Sequence, residues 1–247
     1  MLREARGLNY IRFFRRMFTA RNFDWYLEIG CRGGRILSQC KSKSIGVDPV
    51  FRLGTDVLGE KPELHLFQEE SDTFFEKNRL VAMGARVSVT FIDGMHLVEN
   101  VLRDVINTEK NSDPNGVIFV HDCFPFNDEM TTRDLNALPK VWTGDVWKIV
   151  PILREYRPDL TLTALDAAPT GLLVISRLDP ENTTLLDAYD QILARYRNQT
   201  LETYGRAKFA DTYQFESTRD EISNEFKLVA KVSRPHEPVV KPAVITP

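Results

Sequence analysis

The chain has 247 residues, 43 % hydrophobic and 27 % charged, the balance of an ordinary globular protein; this excludes a disordered or fibrous chain and leaves little room for two full-size domains. A formal charge of −3 offers no basic surface to a phosphate backbone, so no nucleic-acid partner is expected. Three cysteines with no CxxC spacing exclude a disulfide framework and a cysteine-based zinc site, and fit a reducing, cytoplasmic setting.

Residues 1–22 predict a basic amphipathic helix, with Tyr10, Phe13, Phe14, Met17 and Phe18 on one face and Arg12, Arg15 and Arg16 on the other. The arginines interrupt any secretory h-region, and no stretch is long and apolar enough to span a bilayer. The helix is expected to dock on the core or over a site. A partner interface, including a homodimer, is the alternative, and contact with a membrane surface is disfavoured.

From Asp24 short apolar runs alternate with helix-like stretches, the pattern of βαβ units. Strands are predicted at 25–29, 44–47, 64–68, 87–92 and 116–121, with helices at 34–40, 72–83 and 98–108. A polar and aromatic segment, 122–144, precedes a helix at 146–156 that Pro158 ends. Two further strands, 160–165 and 171–176, are joined by a link too short for a crossover helix, so they must pair antiparallel. The expected fold is α/β: a doubly wound, Rossmann-like, mostly parallel sheet with a C-terminal antiparallel hairpin. Boundaries are placed at 23–178 for this domain, 179–233 for a helical extension and 234–247 for a disordered, proline-rich tail.

The string Glu28-Ile29-Gly30-Cys31-Arg32-Gly33-Gly34 runs from a buried strand into a glycine turn and a predicted helix, where backbone can approach a ligand and helix N–H groups are free. Eighteen residues beyond Gly30, at the next strand end, Asp48 can accept hydrogen bonds from both hydroxyls of a ribose. A bare tight turn is the alternative for the glycines alone.

Those residues carry a resemblance. The Glu28–Gly34 string resembles the first motif of class I S-adenosylmethionine-dependent methyltransferases, and Ile45-Gly46-Val47-Asp48-Pro49 resembles their ribose-binding strand end. Phe91-Ile92-Asp93-Gly94-Met95-His96, followed by Val98 to Asp104, is similar to the D-G-x-H-x-Y-x-x-V-x-x-D signature of a methyltransferase group acting on sugars and natural products. Gly116-Val117-Ile118-Phe119-Val120-His121-Asp122 looks like the His-Asp strand of the same group. Arg32 stands where the family often has glycine, and Val98 where the group often has an aromatic residue.

The resemblance implies S-adenosylmethionine as cofactor. Glu28, Gly30, Cys31, Arg32 and Gly34 would border its methionine end, with Asp48 and Pro49 at the ribose. Asp93 would lie near the reacting methyl group. Ser71, at the strand end with Glu70 and Asp72, would meet the adenine amino group, unless Ser71 and Asp72 serve only as a helix cap.

Methyl transfer from a sulfonium is an in-line displacement, so the enzyme must align a nucleophile and accept its proton. Asp93, His96 and His121 are the candidate catalytic residues, His121 ahead of His96 because it ends a strand. Asp93 and Asp122 form a candidate pair for Mg²⁺, an optional second cofactor, but His121 and Cys123 beside them supply no third hard oxygen ligand, which weighs against it. In the segment past that strand end, Trp142 and Trp147 are candidates to stack on a sugar, and Arg133, Asp145 and Lys148 to pair with hydroxyls or a phosphate. Core packing and solvated charge are the alternatives. Gly144-Asp145-Val146-Trp147-Lys148 resembles an element of sugar-linked members of the group. The expected function is methyl transfer to a hydroxyl of a sugar or other small polar metabolite. The alternatives are a cofactor-binding relative without turnover and an NAD-dependent dehydrogenase, whose G-x-G-x-x-G spacing is absent.

Overall fold

The computed structural model describes residues 2–236. The chain opens with α1 (Tyr10–Ala20) and β1 (Arg21–Phe23), followed by β2 (Trp25–Ile29), β3 (Lys43–Val47) and β4 (Leu64–Phe67). Helices α2 (Ser71–Glu76) and α3 (Arg79–Ala82) lead to β5 (Val87–Ile92), α4 (Val98–Lys110) and β6 (Ser112–His121). Then come α5 (Ile149–Tyr156), β7 (Thr161–Leu165), β8 (Leu172–Ser176), α6 (Thr184–Asp187) and α7 (Tyr189–Tyr196). The remainder is α8 (Leu201–Tyr204), α9 (Arg206–Ala210), β9 (Phe215–Glu216), α10 (Thr218–Ser223) and β10 (Ser233–Pro235).

The main sheet has the order β4-β3-β2-β5-β6-β8-β7-β9. Its first five strands are parallel, and β8 runs antiparallel to both β6 and β7, as the short link predicts. β2 and β5 are buried along their whole length, which is why they read as unbroken apolar runs rather than alternating ones.

Two cores cover the two faces. On one, Phe74 of α2, Leu102 and Val105 of α4, Ile152 of α5 and Ile192 of α7 pack on Leu27, Ile45 and Ile118. On the other, Phe13, Phe14, Met17 and Phe18 of α1 join Phe226 and Val229 over Tyr26, Phe91 and Phe119. Burying each such side chain contributes about 1.5–3 kcal/mol. The divisions expected after residues 22 and 178 therefore do not separate cores, since both ends of the chain complete the layer on this second face.

They do so because the predicted helix 34–40 is absent. After Gly34, whose φ of +73° no L side chain adopts readily, only a single 3-10 turn, Leu37–Gln39, connects β2 to β3. The apolar face of α1 occupies the exposed sheet surface, and Asn9 caps its first turn by accepting the Ile11 N–H. The predicted helix 72–83 is likewise broken, into α2 and α3, at Asn78 (φ +49°). At the end of the chain Arg234 and Pro235, expected in the disordered tail, pair with Asn22 and Arg21 in a two-stranded sheet. Proline is tolerated there because the strand is short and at an edge. Residues 237–247 of that expected tail lie outside the described residues. Among the described residues no helix is long and apolar enough to cross a membrane.

Candidate active site

The register of the sheet brings the expected residues together. Ile29 pairs with Ile92, and Ile92 with Val120, so the residues that follow each strand meet at one edge. Gly30 (φ +88°) lies against Asp93, where an added Cβ would sit 2.1 Å from the Asp93 carbonyl oxygen, so only glycine lets the two strand ends close up.

Asp48 is buried. Its oxygens accept the backbone N–H groups of Arg32 and Val50, each at 2.7 Å, and a carboxylate so held keeps a lone pair on each oxygen for a further donor. Arg32 itself is exposed, with φ +39°, and its carbonyl accepts the Arg52 N–H at 2.8 Å, so the loop after β3 lies along the glycine turn. Pro49 is exposed beside Asp48, and the Cys31 thiol is buried against the Glu28 carbonyl at 3.2 Å. The Glu28 carboxyl faces the interior, where it accepts the Tyr26 hydroxyl proton at 2.8 Å, and burial pushes its pKa up to about 8. Ser71 is the first residue of α2; Glu70 is the cap position and makes no side-chain capping bond, while Asp72 forms a two-pronged pair with Arg103, both bonds 2.8 Å. The simple cap reading of Ser71 and Asp72 is therefore not what the fold uses.

Asp93, His96, His121 and Asp122 form one cluster. His121 Nδ1 lies 3.0 Å from Asp93 Oδ1 and 3.4 Å from Asp122 Oδ2. His96 Nε2 is 3.4 Å from Asp93 Oδ1, and its Nδ1 is 3.3 Å from Asp122 Oδ2. Asp122 has φ +60°, an uncommon conformation that turns the chain sharply just after β6, and Thr170 from the β7–β8 link donates to its Oδ1 at 2.6 Å. Burial works against charge on both imidazoles, but the two carboxylates outweigh it and raise His121 well above the ordinary histidine range, and His96 above it too. Burial likewise works against charge on Asp93, yet the imidazoles hold it below the usual carboxylate range.

The two histidines, of which His121 is the expected base, differ in burial. His121 is 8 % exposed, with Nδ1 engaged by the carboxylates and Nε2 3.4 Å from Thr170 Oγ1, whereas the His96 side chain keeps 17 % of its surface at the mouth. Being at a rigid strand end is what buries His121. Beside the two carboxylates stands an imidazole nitrogen rather than a third oxygen: Asp93, His96 and Asp122 present candidate ligand atoms all within 4.8 Å of one another.

Sequence reasoning missed Tyr10 and Thr170 as site residues. The Tyr10 ring lies 4.1 Å, centre to centre, from His121. The periodicity of α1 marked Tyr10 as apolar-facing, but nothing local says which strand end it covers. The lid residues are also reassigned. Trp147 is core, edge-on to Tyr204 and Phe209, and Trp142 stacks on His96 at 4.9 Å. Arg133, Asp145 and Lys148 pair with one another and with Glu99 rather than facing a substrate, because the segment folds inward onto the start of α4.

The strand order β4-β3-β2-β5-β6-β8-β7, with β8 antiparallel and β9 added beyond β7, and helical layers on both faces define the class I methyltransferase fold. No protein-family model and no curated protein sequence matches the chain. Among solved structures it is similar to cofactor-bound Rv0187 from MTB, with a TM-score of 0.51 and 13 % identity over 69 % of this chain and 78 % of that one. It is also similar to the O-methyltransferase TomG from Streptomyces achromogenes, involved in tomaymycin synthesis and solved with SAM, with a TM-score of 0.48 and 17 % identity over 68 % of this chain and 77 % of that one. At 13 % identity the likeness to Rv0187 speaks to the fold alone.

Proposed function

We propose that the protein binds S-adenosylmethionine across the ends of β2, β3 and β5 and transfers its methyl group to a hydroxyl of a small acceptor. Sugars and other small polar metabolites are the acceptor class that the sequence resemblance implies. The observation that carries the proposal is the convergence, at the carboxyl ends of adjacent parallel strands, of the buried Asp48 carboxylate with the Asp93–His96–Asp122 cluster. The donor set fits the group, because Asp48 retains lone pairs for ribose hydroxyls. The bound cofactor supplies an electrophilic methyl and a neutral thioether leaving group. The chain supplies alignment and a proton acceptor. His96 acts from its neutral form, which the flanking carboxylates confine to pH above the ordinary histidine range: Nε2 then takes the hydroxyl proton, and the Asp93 carboxylate beside it stabilises the imidazolium that forms. His121, held between Asp93 and Asp122, keeps both carboxylates in place.

Asp48→Ala is expected to weaken S-adenosylhomocysteine binding by about 1–3 kcal/mol, the scale of hydrogen bonds to a charged group. Calorimetry in which wild type binds NAD but neither sulfur compound would sink the proposal and favour the dehydrogenase alternative. Binding without transfer to any hydroxyl acceptor in a methyl-release assay would leave the non-enzymatic alternative.

The same geometry supports a second reading, in which Asp93, His96 and Asp122 hold a divalent cation and His121 and Thr170 orient the two carboxylates from behind. Two carboxylates and one imidazole suit Mn²⁺ or Zn²⁺ as well as Mg²⁺. A bound cation would polarise the acceptor hydroxyl as a Lewis acid. A chelator is then expected to abolish turnover, with activity restored by added Mn²⁺ and S-adenosylhomocysteine binding retained throughout. Full activity in excess chelator removes the cation and leaves His96 as the base.

A further inference from the structure

We propose that Asp145 is a positioning residue for His96: it anchors the segment 142–145 as a clamp that sets where the His96 imidazole stands. The proposal rests on the methyl-transfer reading only for its kinetic consequence.

Five contacts make the clamp. The Trp142 ring stacks on the His96 ring at 4.9 Å, and the Trp142 carbonyl lies 3.1 Å from His96 Nδ1. Gly144 has φ +53°, and an added Cβ there would fall 1.8 Å from the His96 carbonyl oxygen, so the two backbones touch at the closest approach glycine allows. Asp145 donates its own N–H to that same carbonyl at 3.1 Å, while its Oδ1 accepts the N–H of Val98 at 2.7 Å. The backbone from the His96 carbonyl to the Val98 N–H is therefore tied to one residue.

Asp145 is in turn held by charge. It is 2 % exposed and its Oδ2 faces two cations, the Lys148 ammonium at 2.7 Å and the Arg133 guanidinium. Lys148 is fully buried and also donates to the Arg197 carbonyl, just after α7, at 2.7 Å. Arg133 bridges to Glu99 in the first turn of α4 at 2.6 Å. A carboxylate between two cations in a dry setting has one favourable position, and the N–H of Val98 and the carbonyl of His96 are referred to it. The network touches neither the cofactor strand ends nor Asp93, so its effect on the site runs through His96.

The test reads His96 directly. Chelator-treated protein is labelled with diethyl pyrocarbonate, and each histidine is followed by peptide mass spectrometry, with half-buried His65 and buried His121 as controls. In Asp145→Asn the labelling rate of His96 is expected to rise about tenfold, the equivalent of one charge-assisted hydrogen bond, with His65 and His121 unchanged. The kcat for methyl transfer should fall about 10²-fold, the effect of a misplacement near 1 Å, with unaltered affinity for S-adenosylhomocysteine. Arg133→Gln alters a partner at the surface that the fold tolerates, and should raise His96 labelling alone, by about threefold. Unchanged His96 labelling in both variants overturns the proposal, as does a rise shared by His96 and His121, which marks general loosening. If wild type shows no turnover but His96 labelling responds as stated, methyl transfer falls and the positioning role stands.

Discussion

Asp93→Asn is expected to lower the kcat for methyl transfer by about 10²–10⁴-fold, the range associated with a positioned acid–base group, while S-adenosylhomocysteine still binds. The side chain faces both imidazoles, His121 Nδ1 at 3.0 Å and His96 Nε2 at 3.4 Å, whereas Asp122 meets His96 only at Nδ1. Asparagine keeps its shape and leaves the close crossing of Gly30 and the Asp93 backbone undisturbed, so the loss reports charge rather than collapse. His96 would then have no carboxylate on its Nε2 side to stabilise the imidazolium formed when it accepts a proton. Single-turnover transfer of a labelled methyl group, with calorimetry of the cofactor product alongside, checks the result. A variant with wild-type kcat would remove Asp93 from the chemistry.

The second large effect concerns stability and pH. Glu28 is buried among Tyr26 and the α1 face, and burial raises its pKa to about 8, against about 4.3 in an unfolded chain. The folded state therefore holds this proton more tightly than the unfolded state between those two values. Stability is fully present below the unfolded pKa and is lost as pH rises toward the folded one. Asp104, raised by burial to about 7, acts in the same direction. The unliganded chain should be more stable at pH 5 than at pH 8. Glu28→Gln keeps an acceptor for the Tyr26 hydroxyl but removes the titration. It should be neutral near pH 4.5 and stabilising by a few kcal/mol at pH 8, raising Tm there by about 5–10 °C. Parallel Tm–pH curves for wild type and Glu28→Gln would show that Glu28 is ionised in the folded chain.

The parts of the fold that were legible in the sequence are those set by local periodicity and by link length. Strands β2 and β5 are unbroken apolar runs because both faces of each are covered, and their ends were placed to the residue. The hairpin of β7 and β8 followed from a link too short for any crossover. Helix 34–40 was misread because it was inferred from what usually follows a glycine turn, while Gly33 and Gly34 and the short distance to β3 leave space for only one turn.

The candidate site divides along the same line. Asp48, Asp93, His96, His121 and Asp122 are legible in the sequence because each stands at or just past a strand end in a motif that resembles the methyltransferase pattern, and adjacent strand ends converge once the strand order is known. Their roles could not be assigned. Whether a histidine is a buried brace or an accessible base depends on what lies over it, and His121 is covered by Tyr10 from the far end of the chain and Thr170 from the hairpin link. Arg133, Asp145 and Lys148 looked like substrate-facing charges because a sequence does not report the direction of a loop, and it is the inward fold onto His96 and Val98 that pairs them internally. The sequence by itself determined seven strands of the main sheet and, through its motifs, the residues at their ends, since periodicity, link length and motif spacing act over a few residues; β9, from the segment expected to be helical, joins the sheet only in the folded chain. Only the tertiary structure decided which ends of the chain close the second face, which histidine is exposed and what holds it, because burial and charge pairing arise from residues distant along the chain.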